Sequence, residues 1–173
     1  KCKCLIINSA IDNRDKINII SSHSSLYKGL NSDVDVVSLH TLIDFDVSNY
    51  DVIGIDEAQF FPDLFNSVKK WLELNKYIYV VGLDSYSNGN KFGEISELVH
   101  ISDEFEKLKS YCTVCSKNIT GIFTPYNMVP ASFTAKFTKK STDNEIEIGK
   151  DDKYFPVCRK HHKEFLNGKE FYA

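Results

Sequence analysis

The stretch DVIGIDEAQFFP, residues 51–62, decides the fold. Residues 52–55 form a short apolar run, which is typical of a strand buried on both faces of a parallel sheet. The run ends in two adjacent carboxylates, Asp56 and Glu57. Because open α/β sheets bind their ligands beyond the carboxyl ends of the strands, the stretch predicts a functional site at this strand end.

The residues alone give the two carboxylates two interpretations. Burying a carboxylate pair is unfavourable unless something compensates, and a bound metal ion is the usual compensation. An apolar strand that ends in Asp56 and Glu57 has the form of a Walker B strand, whose Asp holds Mg²⁺ in phosphotransferases and whose neighbouring acid can act as a base. The alternative is a helix N-terminus, where the helix dipole favours acids, with Pro62 at the first helical position.

Length and composition limit the functional classes. The chain has 173 residues, which predicts one domain, or one domain with a small appendage. The net charge of −3 provides no basic field to attract nucleic acid, and no apolar run approaches the length of a membrane span. Residues 1–8 lack the features of a signal peptide. The cysteines are odd in number, five, and three of them have metal-type spacing, which predicts a reducing, intracellular compartment rather than a disulfide framework.

Apolar strands alternate with helical patterns in the first two thirds of the chain. This order predicts a parallel α/β sheet with right-handed crossovers. The predicted strands are residues 4–7, 34–39, 52–55 and 77–83, and the predicted helices are residues 40–45, 62–75 and 93–100.

The composition changes near Tyr111, after which long apolar runs are few and three of the five cysteines occur. We therefore predict an α/β nucleotide-binding core at residues 1–110 and a small second domain at residues 111–173.

Two short motifs in the second domain have the spacing of a zinc site. Cys112-x2-Cys115 and Cys158-x2-His161 each offer two ligands, and Zn²⁺ favours four Cys or His ligands in a tetrahedron. Four protein ligands close the site, which predicts a structural rather than a catalytic metal. The competing ligand is His162, although the spacing favours His161. A domain of this size with so little hydrophobic core commonly needs a bound metal ion for its stability. The alternative interpretation is that Cys112 and Cys115 are free core thiols and His161 is a surface histidine.

Taken together, these motifs resemble the type II thymidine kinases, over nearly the whole chain. The resemblance rests on five stretches in the family's order: residues 4–7 followed by Asp12-Asn13-Arg14, the DEAQFF segment at residues 56–61, Gly82-Leu83-Asp84 with Phe92-Gly93, the two zinc motifs, and residues 131–134 with 146–154.

The resemblance implies a P-loop NTPase-like parallel sheet core with a small zinc-ribbon-like lasso domain, a segment that covers the substrate. It also implies transfer of the ATP γ-phosphate to the 5′-hydroxyl of thymidine, structural Zn²⁺, Mg²⁺ with ATP, and a homotetramer. No nucleic-acid or membrane partner is expected.

The resemblance also assigns roles to individual residues. Asp56 would help to hold Mg²⁺, and Glu57 would take the proton from the thymidine hydroxyl. The remaining residues fall into a nucleotide group and a nucleoside group. The first is Asp12, Asn13, Arg14 and Gln59; the second is Phe60, Leu83, Tyr86, Thr134, Ile146, Glu147, Ile148, Gly149 and Tyr154, with Gln59 also lining the nucleoside side.

The sequence departs from the family pattern in three places. It contains no G-x-x-x-x-G-K-[ST] phosphate loop, which family members carry in a segment that would precede Lys1, and we expect that segment to precede Lys1 here. The segment 117–130, which precedes Thr134, is longer than is usual in the family. The alignment of Thr134 and Lys136 with family residues is therefore less direct. The family's aromatic residue after Leu83 falls on Tyr86 or Ser87, and we favour Tyr86.

Two alternatives follow from these departures. A family member that lacked the phosphate loop would bind a nucleoside without being an enzyme. A zinc-ribbon protein could instead bind nucleic acid, but the acidic charge balance disfavours this class.

Overall fold

A computed structural model of the chain describes residues 2–11, 34–117, 128–137 and 153–171. The chain divides into two compact units. The first unit comprises Lys1–Asp84 and Lys91–Glu104, and the second comprises Ser85–Asn90 and Phe105–Ala173.

The first unit contains a sheet of four parallel strands in the order β2-β1-β3-β4. Ile7 in β1 lies opposite Val37 in β2 and Ile55 in β3. The parallel α/β sheet predicted from the sequence is thereby confirmed. The strands are β1 Cys4–Ser9, β2 Val34–Leu39, β3 Val52–Ile55 and β4 Tyr77–Val80.

Helix α1, Leu64–Glu73, covers the sheet and is slightly shorter than the predicted helix at residues 62–75. Its apolar face buries Trp71 against a core that includes Ile7 and Ile55. The helix ends at Asn75, which adopts a left-handed φ of 55°. Asn75 N–H donates to Leu72 O and Lys76 N–H to Trp71 O, which is the bond pattern of a Schellman motif. Asn75 thus terminates the helix, two residues beyond Glu73.

The helix predicted at residues 40–45 is wrong. The segment forms a turn, in which Phe45 N–H donates to Leu42 O over 3.0 Å. The carboxylate of Asp63 accepts the N–H groups of Leu42 and Ile43, each over 2.7 Å. Because a side chain from another element satisfies these donors, the turn does not need to continue into a helix. The helix predicted at residues 93–100 is a 3₁₀ helix at Ile95–Ile101.

Strand β4 differs from the buried strand predicted at residues 77–83. It ends at Val80, and its alternate side chains Tyr77 and Tyr79 are 72% and 66% exposed. Within the part of the sheet that the structure describes, β4 lies at the edge. An apolar run therefore indicated a strand correctly but overstated its burial.

In its described residues, the second unit contains two short antiparallel strand pairs and two helices. Its buried core includes Cys112, Ala135, Phe155 and Val157. The elements are β5 Ser110–Tyr111 with β6 Pro130–Ala131, β7 Phe133–Lys136 with β8 Tyr154–Val157, α2 Thr113–Ser116 and α3 Arg159–Leu166.

Among the described residues of both units, the helices are too short or too polar to cross a membrane.

Candidate active site and metal centre

The two carboxylates of the opening stretch lie directly beyond β3, at the carboxyl edge of the sheet. Asp56 N–H donates to Ile7 O over 2.9 Å, which extends the pairing of β3 with β1 by one residue. The Asp56 Oδ1 atom accepts the N–H of Glu57, also over 2.9 Å. Both side chains are half-buried. Asp56 is thus oriented by the backbone of the residue that follows it.

Glu57 has a left-handed backbone, with φ 50° and ψ 41°. It precedes a single 3₁₀ turn, Ala58–Phe60, and makes no side-chain cap to it. The alternative interpretation required a helix with Pro62 at its first position, but α1 begins at Leu64 and Glu57 precedes only this short turn. A residue with a Cβ costs about 1 kcal/mol in this conformation, and such strain concentrates at functional sites.

Gln59 holds the Glu57 carboxylate. Its side chain is buried, and Nε2 donates to Glu57 Oε2 over 2.6 Å. At its other end, Oε1 accepts the N–H of Leu83 over 3.0 Å. Because Leu83 N–H requires an acceptor, this contact also fixes which way the amide is turned. Gln59 thereby joins the segment after β3 to the segment after β4.

Two glycines make room for Gln59, and neither was singled out as a site residue from the sequence. A Cβ on Gly82 would overlap Gln59 Oε1 and Ile95 Cδ1. A Cβ on Gly93 would overlap the Gln59 carbonyl oxygen and lie 2.9 Å from its Cα. Gly93 also has a left-handed φ of 59°. Both glycines belong to stretches that resemble the family, but their packing against Gln59 could not be predicted, because the contacts join segments that the fold brings together.

Gly93→Ala is expected to destabilise the protein by about 2–4 kcal/mol, because the methyl group meets immovable backbone as well as an unfavourable φ. The measurement is denaturant unfolding of the full chain. Gly168→Ala is the matched control, since Gly168 has a φ of 87° but open space around it. Equal losses for the two variants would contradict the close packing of Gly93 on Gln59.

Phe60 and Leu83, both predicted to face the nucleoside, lie in the first unit with Gln59. The Phe60 ring meets Phe92 edge to face, with 5.4 Å between centroids. Phe92 N–H donates to Asp84 O over 3.1 Å, which closes the base of the loop between them. The structure therefore gathers Glu57, Gln59, Phe60 and Leu83 into one hydrogen-bonded and packed group.

Three other predicted nucleoside residues lie in the second unit. Tyr86 is on the loop Ser85–Asn90. Thr134 lies opposite Pro156, and Tyr154 lies opposite Lys136, in the β7–β8 pair. Because side chains alternate along strands, Thr134 and Tyr154 share one face, opposite to the face buried in the core. The remaining predicted residues, 12–14 and 146–149, lie outside the described residues.

The four predicted metal ligands come together in the second unit. The ligand atoms of Cys112, Cys115, Cys158 and His161 all lie within 4.8 Å of one another. His161 Nδ1 is 3.3, 3.5 and 3.4 Å from the three sulfurs, and the sulfurs of Cys115 and Cys158 are 4.0 Å apart. A tetrahedron with ordinary zinc bond lengths has S–N edges of about 3.6 Å and S–S edges of about 3.8 Å. The donor set therefore fits a tetrahedral metal ion.

The pKa values of two thiols in this cluster, Cys112 and Cys115, are shifted in opposite directions. Burial raises the pKa of Cys112, but the backbone N–H groups of Cys115 and Cys158 and the His161 ring outweigh it and lower that pKa to about 6. Burial and the neighbouring Cys112 raise the pKa of Cys115 to about 12. A thiolate at Cys112 therefore disfavours a second negative charge at Cys115. A bound cation would stabilise the negative charge on both sulfurs.

His162, the competing ligand, has a different partner. Its Nε2 atom donates to Ser87 O over 2.8 Å, and its ring stacks on Phe133. The preference of the C-x2-H spacing for His161 is confirmed.

Comparison with known proteins gives one family. The family model described as "Thymidine kinase" matches residues 1–162. The chain is 38% identical over 162 residues to a thymidine kinase of Amsacta moorei entomopoxvirus, covering 91% of this chain and 80% of that protein. It is 39% identical over 166 residues to that of Choristoneura fumiferana entomopoxvirus, with 92% and 80% covered. The thymidine kinase of Sheeppox virus (strain KS-1) is 34% identical over 140 residues, with 79% and 71% covered.

Proposed function

Because the chain belongs to the thymidine kinase family, we propose that it transfers the γ-phosphate of ATP to the 5′-hydroxyl of thymidine. The observation that carries this proposal is the clamped carboxylate at the end of β3. Glu57 lies beside Asp56 and is held by Gln59. Phosphoryl transfer needs mainly positioning and charge neutralisation, and this group supplies a fixed base next to a metal-binding acid.

Glu57 takes the proton from the attacking hydroxyl. A general base must be held within hydrogen-bond reach of the proton it abstracts, and the 2.6 Å contact with Gln59 fixes one of its two oxygens.

Asp56 is the residue that would hold Mg²⁺, because carboxylate oxygens are the ligands this ion prefers. When bound, Mg²⁺ neutralises charge on the β- and γ-phosphates of ATP. The hydrogen bond from Glu57 N–H fixes the Asp56 carboxylate for this purpose.

By the family resemblance, the thymidine contacts are assigned to five described residues: Phe60, Leu83, Tyr86, Thr134 and Tyr154. Residues 146–149 are also assigned to the nucleoside, and residues 12–14, together with Gln59, to the nucleotide. The four-ligand cluster binds Zn²⁺ as a structural ion, since it leaves no position for substrate. By the family resemblance, the protein is cytoplasmic and forms a homotetramer.

The test is a kinase assay on the complete gene product with radiolabelled thymidine, ATP and Mg²⁺. We expect thymidine 5′-phosphate to form only when ATP and Mg²⁺ are both present. A purified, zinc-loaded protein that binds thymidine without phosphorylating it would overturn the proposal in favour of the non-enzymatic alternative.

Gln59→Leu is expected to lower kcat at least about tenfold with a smaller change in KM, because the base loses the bond that positions it. Steady-state kinetics measure this, with Asn66→Leu on the exposed side of α1 as the control. A rise in KM for ATP with an unchanged kcat would contradict the positioning role and leave Gln59 with nucleotide binding alone.

A further inference from the structure

We propose that His162 is a positioning residue that holds the loop Ser85–Asn90, and with it Tyr86, against helix α3. The part that concerns substrate rests on the proposed function, because it takes Tyr86 to contact the nucleoside. The loop and α3 both belong to the second unit, although the residues that flank the loop in sequence belong to the first.

One directed hydrogen bond joins the histidine to the loop. The His162 Nε2 atom lies 2.8 Å from Ser87 O. A carbonyl oxygen only accepts, so Nε2 carries the proton and donates. The bond is sheltered, because His162 is 7% exposed. A Cβ on Gly89 would lie 3.5 Å from His162 Cε1, so the loop backbone also passes near the edge of the ring.

The imidazole is fixed on its other sides by the second unit. It stacks on Phe133 of β7, with ring centroids 4.8 Å apart and planes 12° apart. The ring of Phe165, one turn later on α3, is also stacked on the imidazole, with 6.3 Å between the two ring centroids. The ring has little rotational freedom, and its donor therefore points to one place.

The loop is a compact body that one anchor can orient. Tyr86 N–H donates to Asn90 O, and Gly89 N–H donates to Tyr86 O, each over 2.9 Å. Asn90 N–H in turn donates to Asn88 Oδ1. These bonds tie Tyr86 to Gly89 and Asn90, which lie on the other side of Ser87 in the turn. Fixing the Ser87 carbonyl therefore fixes the backbone of Tyr86.

The neighbour of His162 in sequence, His161, belongs to the metal-ligand cluster. Adjacent residues of α3 thus serve the metal and the loop. A metal ion bound by His161 would therefore also hold the helix that carries His162.

The experiment compares His162→Phe with His162→Gln in the complete protein. The Phe variant keeps an aromatic ring against Phe133 but removes the donor, whereas the Gln variant supplies a donor without the ring. His100→Phe, an exposed stacked histidine of the first unit, is the matched control. Each variant is measured for amide exchange of residues 85–90, metal content, and kcat and KM for thymidine.

We expect His162→Phe to speed exchange in the loop at least about threefold and to raise the KM for thymidine about three- to tenfold at nearly constant kcat. His162→Gln restores part of both values, and metal content stays at the wild-type level in each variant. Loop exchange identical in His162→Phe and wild type overturns the proposed anchor. Faster exchange with an unchanged KM overturns its link to the nucleoside, and absence of thymidine phosphorylation in the wild type tests the proposed function separately.

Discussion

Glu57→Gln is expected to lower kcat for thymidine phosphorylation by about 10²–10⁴-fold, which is the usual contribution of a general base. The substitution keeps the shape of the side chain and an oxygen that can accept from Gln59 Nε2. It removes the negative charge and, with it, the ability to take a proton. The measurement is steady-state kinetics at saturating ATP and Mg²⁺, with a thymidine titration to show that KM changes little.

The control for this prediction is Glu73→Gln, an exposed carboxylate at the end of α1. Glu57→Gly adds a stability readout, because glycine adopts the left-handed φ of 50° without strain. We expect that variant to be inactive and more stable than Glu57→Ala by about 1 kcal/mol. Full turnover in Glu57→Gln would remove Glu57 from the role of base, whatever the stability result.

The position of Asp56 and Glu57 could be predicted because it depends on local sequence. A short apolar strand in a parallel sheet presents its next residues at the carboxyl edge, and the structure places both acids there. The clamp by Gln59 could not be predicted in this way. It depends on Leu83 N–H and on two glycines that approach from segments more than twenty residues away, which requires the fold itself.

The incorrect predictions about the fold have the same cause, because they too depend on contacts between segments that are distant in sequence. Residues 40–45 have a helical pattern, but the N–H groups of Leu42 and Ile43 donate to the carboxylate of Asp63, which lies outside this segment. The apolar pattern of β4 reflects a strand, whereas the exposure of Tyr77 depends on its place at the sheet edge. Periodicity reports which residues prefer a conformation and says little about which neighbours will cover them.

The metal centre is the opposite case, because four spaced ligands specify a site without knowledge of the fold. The C-x2-C and C-x2-H pairs are distant in sequence but close in the structure. The resemblance to type II thymidine kinases, which used these pairs together with the DEAQFF segment, is confirmed by the family match. The proposed role of His162 could not be predicted from the same motif, because its hydrogen-bond partner is a backbone carbonyl, which any residue can supply.

Cys158→Ser is expected to abolish metal binding and unfold the second unit. Two of the seven buried residues in the described core of this unit, Cys112 and Cys158, are themselves metal ligands. A core this small gives little stability by itself, and binding of structural Zn²⁺ contributes on the order of 10 kcal/mol to folding in small zinc domains. We expect metal content to fall from about one ion per chain to near zero, and amide protection in β7, β8 and α3 to be lost.

Cys2→Ser is the matched control, because Cys2 is an exposed thiol outside the cluster. Chelation of the wild type should reproduce the Cys158→Ser result, and Zn²⁺ should reverse it in the wild type alone. Amides of β1 and β3 belong to the other unit and should keep their protection in all cases. Retention of stoichiometric metal, or of protected β7 and β8 amides, in Cys158→Ser would show that the cluster is not the element that stabilises this unit.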